Sequence, residues 1–273
     1  MGGHRSLEER RNARRRHRPF HEKRPSLSGP GPTPQARGPR SVLGRVQPSS
    51  CRGDLLSPPS PRTRRLGGVY LVASPQKPVS RLRAIVTAAL EGGVSTVQLR
   101  DKGVYSPEER AEAGRGLHDL SRGFGVPFLV NDDPQLARRM EADGVHVGRD
   151  DPSPRVARAV LGPQAIIGVT VYGKPGEESS AAEAGADYIS VGPFFPSPTK
   201  PKEPVLPMQV LDAVVHRSPL PVFAIGGVNA KNAALLARHR VAGVAVVSAI
   251  MEAPDPRRAA EAIRRAFFGA SGP

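Results

Sequence analysis

Residues 98–102 read QLRDK, a spacing with chemical potential. Side chains alternate along an extended chain, so Gln98, Arg100 and Lys102 share one face. A guanidinium that binds as a fork and an ammonium that acts as a point charge together suit a diphosphate. A row of surface cations is the plainer alternative, but Gln98 lies inside an apolar run, which speaks against it. Asp132 closes FLVND and Asp151 follows GVHVG. Two hard carboxylates with few other protein ligands are what Mg2+ prefers, with water and phosphate oxygens completing its shell. General acid–base work by the pair is the rival role. His146 sits in the middle of GVHVG, where a packed, hydrogen-bonded core imidazole is expected rather than a catalytic one.

Farther along, Gly226-Gly227 and Ser248 end two apolar runs. Glycines let backbone N–H groups approach a phosphate without a Cβ in the way; turn chemistry alone is the competing reading. The stretch VGPFFPSPTK (191–200) sets Ser197 and Thr199 among prolines and ends on Lys200. The two hydroxyls can serve a second small substrate, and Lys200 can reach an anion held at the centre. Pro196 and Pro198 restrict the loop, so less entropy is lost when it closes on a ligand. Thr170 is the polar residue near the end of IIGVTV.

Eight short β-branched runs must position these groups, at 68–73, 96–100, 127–132, 144–148, 166–171, 188–194, 221–227 and 243–250. Between them lie stretches rich in Ala, Arg, Leu and Glu, such as 81–93 and 107–125, several punctuated by Gly or Pro as helix ends are. Strand–helix alternation predicts a parallel sheet, and near-continuous apolar strands predict that both its faces are covered. The expected fold class is therefore α/β, as a (β/α)8 TIM barrel rather than an open doubly wound sheet. No GxGxxG follows the first run, which also weakens a dinucleotide-binding reading. In such a barrel the carboxyl ends of the strands form the active face. The polar groups above sit at those ends, and the aggregate exceeds what contact with water requires.

The chain has 273 residues, with charge unevenly spread along it. Residues 1–66 hold 16 of the 40 Lys and Arg, 4 of the 25 Asp and Glu and 10 of the 30 prolines, a net charge of +12. Only +3 of the overall +15 is left for the remainder. So basic and apolar-poor a segment cannot bury enough surface to offset its ordering entropy. Residues 1–66 are thus expected to be a disordered basic Pro/Arg-rich extension, and residues 67–269 the catalytic barrel. The arginine cluster RRNARRRHR (10–18) could touch nucleic acid by charge alone, but no interleaved aromatics or nucleic-acid-binding motif accompany it. A nucleic-acid partner is not expected. A transit peptide would be Arg-rich too, yet the prolines interrupt any long amphipathic helix. No apolar run approaches the roughly 18–20 residues a bilayer requires, so no membrane role and a cytoplasmic location are expected. Cys51 is the one cysteine, which excludes an intrachain disulfide or a cysteine metal site. Homo-oligomerisation stays open.

Taken in order, QLRDK, the ND of FLVNDD, ADGVHVGRDD, IIGVTV, GADYISVGPFFPSPTK, AIGG and VVSAI resemble the thiamine-phosphate synthase family. The resemblance runs from about 68 to 268. It implies a Mg2+-dependent barrel transferase of thiamine biosynthesis. Such an enzyme joins a hydroxymethylpyrimidine diphosphate to a thiazole phosphate, releasing pyrophosphate after a dissociative loss of diphosphate. It further implies that Gln98, Arg100, Lys102, Asn131, Thr170 and Lys200 hold the pyrimidine diphosphate, with Arg100, Lys102 and Lys200 catalytic. Ser197, Thr199, Gly227, Val247 and Ser248 would surround the thiazole phosphate, and Asp132 and Asp151 would bind the metal. The chain departs from that pattern in several places. Ser74 stands where an aspartate is usual, Ser197 replaces a threonine, and Thr170 replaces a serine. Arg149 stands for a glutamine, and VTVY (169–172) departs from serine-threonine-histidine. Three rivals share features with this reading. They are a thiazole tautomerase, a phosphosugar isomerase on the same scaffold, and a nucleic-acid-tethered barrel acting through its basic tail.

Overall fold

The β-branched runs form eight parallel strands that close on themselves. The structure, a computed structural model, describes residues 66–197 and 203–269. In chain order the elements are β1 (Gly68–Ala73), α1 (Val79–Glu91), β2 (Thr96–Leu99), α2 (Pro107–Phe124), β3 (Phe128–Asn131) and α3 (Pro134–Arg139). Then come β4 (Gly144–Val147), α4 (Pro154–Leu161), β5 (Ile166–Val171), α5 (Glu177–Glu183), β6 (Tyr188–Val191) and α6 (Met208–Arg217). The last are β7 (Val222–Ile225), α7 (Ala233–Ala237), β8 (Gly243–Val246), α8 (Ser248–Met251) and α9 (Pro256–Gly269). Each strand pairs with its sequence neighbours, and β1 pairs with β8 in the register Gly68↔Gly243 to close the TIM barrel.

Local sequence explains the helix boundaries. Ser106 and Glu109 form a reciprocal capping box ahead of α2, Pro107 takes the first turn, and Gly125 ends the helix in the left-handed conformation. The side chain of Asp133 accepts from the N–H groups of Gln135 and Leu136 to cap α3. Adjacent aspartates thus divide their work, because Asp132 turns away from that helix and into the barrel mouth.

Strand alternation sorts the core into two clusters. Val69, Leu71 and Ala73 of β1 face the helices and join an aliphatic shell with Leu82 of α1 and Leu117 of α2. Burying each such leucine contributes roughly 1.5–3 kcal/mol. Tyr70 and Val72 point inward and pack with Leu66, Leu129, Ile166, Tyr188, Phe223 and Ala245. Tyr188 fits only because Gly168 on the neighbouring strand has no side chain: a Cβ there would lie 2.1 Å from the tyrosine ring. At the floor of the barrel Arg158 gathers carbonyls of 162, 163, 165 and 185 and pairs with Asp187 at 2.7 Å, tying α4 to the strands beside it.

Six strands are shorter than the sequence predicts, three of them by three residues or more. β6 stops at Val191 rather than 194, and β7 stops at Ile225 because Gly226 and Gly227 take φ of +97 and +65. The predicted run 243–250 changes type part-way. β8 ends at Val246, Val247 leaves extended geometry at ψ −91, and Ser248 begins a helical turn. Residues 1–65, with Cys51 and the arginine cluster, lie outside the described residues, as do Thr199 and Lys200. Among the described residues no helix is long and apolar enough to cross a membrane.

Candidate active site

Inward-facing positions change character along the barrel axis. The lower half holds the aromatic cluster, and the upper half is polar and opens into a cavity of about 410 Å3. That volume falls within the range of small-molecule sites. Gln98, Arg100, Lys102, Asn131, Asp132, Asp151, Thr170, Ser197, Gly227, Val247 and Ser248 all line it, so every described residue expected at the site is brought there. The shared face of Gln98, Arg100 and Lys102 persists although β2 ends at Leu99. The Arg100 N–H continues the pairing by donating to the Ala73 carbonyl at 2.9 Å.

The β2–β5 side of the rim is a network of charged and amide groups. The Gln98 side-chain amide donates to Asn131 Oδ1 at 2.8 Å, which orients both at the mouth. The Lys102 ammonium donates to the Asp132 carboxylate in a tight ion pair. Asp132 takes a left-handed φ of +67, uncommon for a residue with a Cβ. Its N–H donates to the His146 carbonyl at 2.8 Å and holds it there. Backbone strain of this kind tends to accompany functional positions. Asp151 accepts from the Gly148 N–H at 2.7 Å. Burial pushes its carboxyl above the usual range, the Gly148 donor opposes this, and the neighbouring Asp132 carboxylate raises it further. Two carboxylates side by side, one of them paired with the Lys102 ammonium, form a donor set for a hard divalent cation. Among the described residues no group of three or more His, Cys, Asp or Glu is clustered for a metal, so the donor set here is a two-carboxylate one.

The β6–β8 side carries Ser197 and Glu203 from the β6 loop and, above β7 and β8, two glycines with Ser248. Gly226 and Gly227 pass close under the β6 loop, where a Cβ on Gly227 would fall 2.4 Å from the Pro196 carbonyl oxygen. Ser248 opens the short helix α8 beside them. This is where barrels of the kind commonly bind phosphate.

Two arrangements are not expected from the sequence. The Arg149 guanidinium stacks 3.9 Å from the centre of the Tyr172 ring, and both line the cavity. The two departures from the family pattern therefore touch each other. Their positions just past β4 and β5 were the available signal, since those loops meet at the mouth. The second arrangement is a buried hydrogen-bond chain. His146 Nδ1 lies 2.9 Å from the Tyr188 hydroxyl, and Nε2 lies 2.9 Å from the Thr170 hydroxyl. Burial holds the imidazole down at about 4, against the opposing charge of Asp132. The imidazole is hydrogen-bonded as expected, yet it also reaches the cavity wall. The glycine inside IIGVTV was the clue, because it makes room for the Tyr188 ring.

Comparison with known proteins agrees with this geometry. The family model for thiamine monophosphate synthase matches residues 69–250. A thiamine-phosphate synthase of Thiobacillus denitrificans is 46% identical over 201 residues, 74% of this chain and 95% of that one. One from Roseiflexus sp. is 40% identical over 216 residues, covering 78% and 91%. The solved structure of thiamine phosphate pyrophosphorylase from Pyrococcus furiosus superposes with a TM-score of 0.67 at 33% identity, over 77% of this chain and 99% of that one. The polar rim, its order along the strands and these likenesses lead to one conclusion: the chain belongs to the thiamine monophosphate synthase family.

Proposed function

We propose that this barrel condenses an aminopyrimidine bearing a diphosphooxymethyl group with a thiazole phosphate, giving thiamine phosphate and pyrophosphate. One observation carries the reading. A cationic pair, Arg100 and Lys102, a carboxylate pair, Asp132 and Asp151, and a glycine–serine rim, Gly227 and Ser248, surround a single cavity. A tautomerase would need neither the cations nor the carboxylates. A phosphosugar isomerase would need only the glycine–serine rim.

In this reading Gln98 and Asn131 orient the pyrimidine, and Arg100, Lys102, Thr170 and Lys200 hold its diphosphate. Ser197, Thr199, Gly227, Val247 and Ser248 take the thiazole phosphate. Asp132 and Asp151 would hold Mg2+, for which their adjacency and carboxylate oxygens fit. When bound, the ion adds positive charge beside the departing diphosphate. The bond from the exocyclic methylene to the diphosphate oxygen breaks, and its electron pair leaves with pyrophosphate. The aminopyrimidine ring stabilises the resulting cation. The thiazole nitrogen then supplies the pair that forms the new C–N bond. Arg100 and Lys102 stabilise the charge that develops on the leaving oxygen, and the rim aligns the second substrate with the first. No protein nucleophile is required. His146 is bonded on both ring nitrogens to hydroxyls within the barrel, and none of these steps assigns it a proton transfer.

The test supplies both substrates with Mg2+ and, separately, with excess EDTA. Equal, metal-dependent formation of thiamine phosphate and pyrophosphate is expected. Isomerisation of the thiazole phosphate without coupling would replace this reading with the tautomerase.

A further inference from the structure

We infer that Tyr70, Tyr188 and His146 form a one-way hydrogen-bond chain that turns the proton of the Thr170 hydroxyl toward the cavity, where it donates to an anionic substrate oxygen. The substrate side of this statement rests on the proposed function, while the chain itself rests on the donors and acceptors inside the barrel.

The direction follows from its buried end. The Tyr70 hydroxyl lies 2.9 Å from that of Tyr188, and among the described residues it has no other hydrogen-bond partner. Tyr70 is 2% exposed, and the rings of Tyr188 and Phe223 pack edge-on against it. A buried hydroxyl must place its proton on an acceptor. Tyr70 therefore donates to Tyr188, and Tyr188 donates onward to His146 Nδ1 at 2.9 Å. With Nδ1 accepting, the imidazole is neutral and carries its hydrogen on Nε2. That N–H reaches Thr170 Oγ1 at 2.9 Å and, more weakly, Ser190 Oγ at 3.3 Å. Ser190 is buried, and its hydroxyl lies 3.4 Å from Thr170 Oγ1. Thr170 thus receives from within the barrel, and its own proton is free for the cavity that it lines.

The reverse order fails at the buried end, where it would leave the Tyr70 proton without an acceptor. A doubly protonated ring fails in the same way, since Nδ1–H would oblige Tyr188 to donate back to Tyr70. Tyr70 and Tyr188 are accordingly positioning residues that act on the site through His146 and touch no substrate.

The experiment reads the tautomer directly, by nitrogen NMR of the full chain labelled in its histidines, with the His146 signal assigned from its loss in His146→Gln. A neutral ring protonated on Nε2 is expected; a ring protonated on Nδ1, or an even mixture, would overturn the inference. Tyr188→Phe is expected to shift that signal toward a mixture, an outcome that a purely space-filling tyrosine would not produce. Calorimetric titration with inorganic pyrophosphate and Mg2+ tests the donor. Thr170→Val should bind about tenfold or more weakly, and Thr170→Ser should recover most of the loss. Unchanged affinity in Thr170→Val, or no recovery in Thr170→Ser, would overturn the donor role. Neither readout requires turnover. Absence of coupling activity in the unaltered chain would therefore count against the proposed function alone.

Discussion

The rim above β2–β5 is made of side chains, whereas the rim above β7 and β8 is made largely of main chain. On the first side Arg100, Lys102, Asp132 and Asp151 bring four full charges to one cavity wall. On the second, Gly226, Gly227 and the start of α8 bring backbone, with Ser248 as the polar side chain among them. The difference matches two tasks. A leaving diphosphate gains charge as its bond breaks, and full charges placed in advance stabilise that change. A phosphate that is merely held keeps its charge throughout, and oriented dipoles suffice for it.

If the comparison is right, variants on the two sides should fail in different ways. The largest effect is expected from Asp132→Ala or Asp151→Ala, each lowering kcat by on the order of a thousandfold or more with the circular dichroism spectrum unchanged. Near-normal, metal-dependent turnover in either would remove the distinction between the sides. Arg100→Ala and Lys102→Ala come next, with kcat down by about a hundredfold and the KM for the thiazole phosphate nearly constant. A change confined to that KM would mean these cations serve the wrong substrate. On the main-chain side the signature should reverse. Ser248→Ala is expected to raise the KM for the thiazole phosphate about tenfold with little change in kcat, as for one hydrogen bond to a charged group. The smallest effect is predicted at the mouth. Tyr172→Leu should weaken the pyrimidine substrate by roughly two- to fivefold, the scale of one exposed cation–π contact. Tyr172→Phe keeps the ring and should stay near the unaltered value.

The same contrast explains what the sequence reveals. Strand order and closure were readable because eight apolar runs alternate with helical stretches, and the period of two then sorts each run by face: Tyr70 and Val72 point one way, Val69, Leu71 and Ala73 the other. The charged side of the rim was readable for the same reason, since residue type announces its chemistry and the period of two puts Gln98, Arg100 and Lys102 on one face. The main-chain side was legible only through its glycines. The apolar run around Val247 conceals the switch from strand to helix, because Ser248, Ala249 and Ile250 suit either state. The chain through Tyr70, Tyr188 and His146 was hidden by distance, its tyrosines lying 118 residues apart. Only barrel closure, with β1 and β6 facing each other across the interior, brings them within hydrogen-bond reach.

The left-handed backbone at Asp132 has a consequence for how this position can vary. Glycine, asparagine and aspartate tolerate that conformation, and branched side chains do not. In a saturation library, selection for a stable barrel would favour those three residues over branched side chains, and selection for thiamine-independent growth would pass aspartate alone. Two filters of different width would thus act on one codon, and the gap between them would measure how much of the demand for aspartate belongs to chemistry rather than to folding.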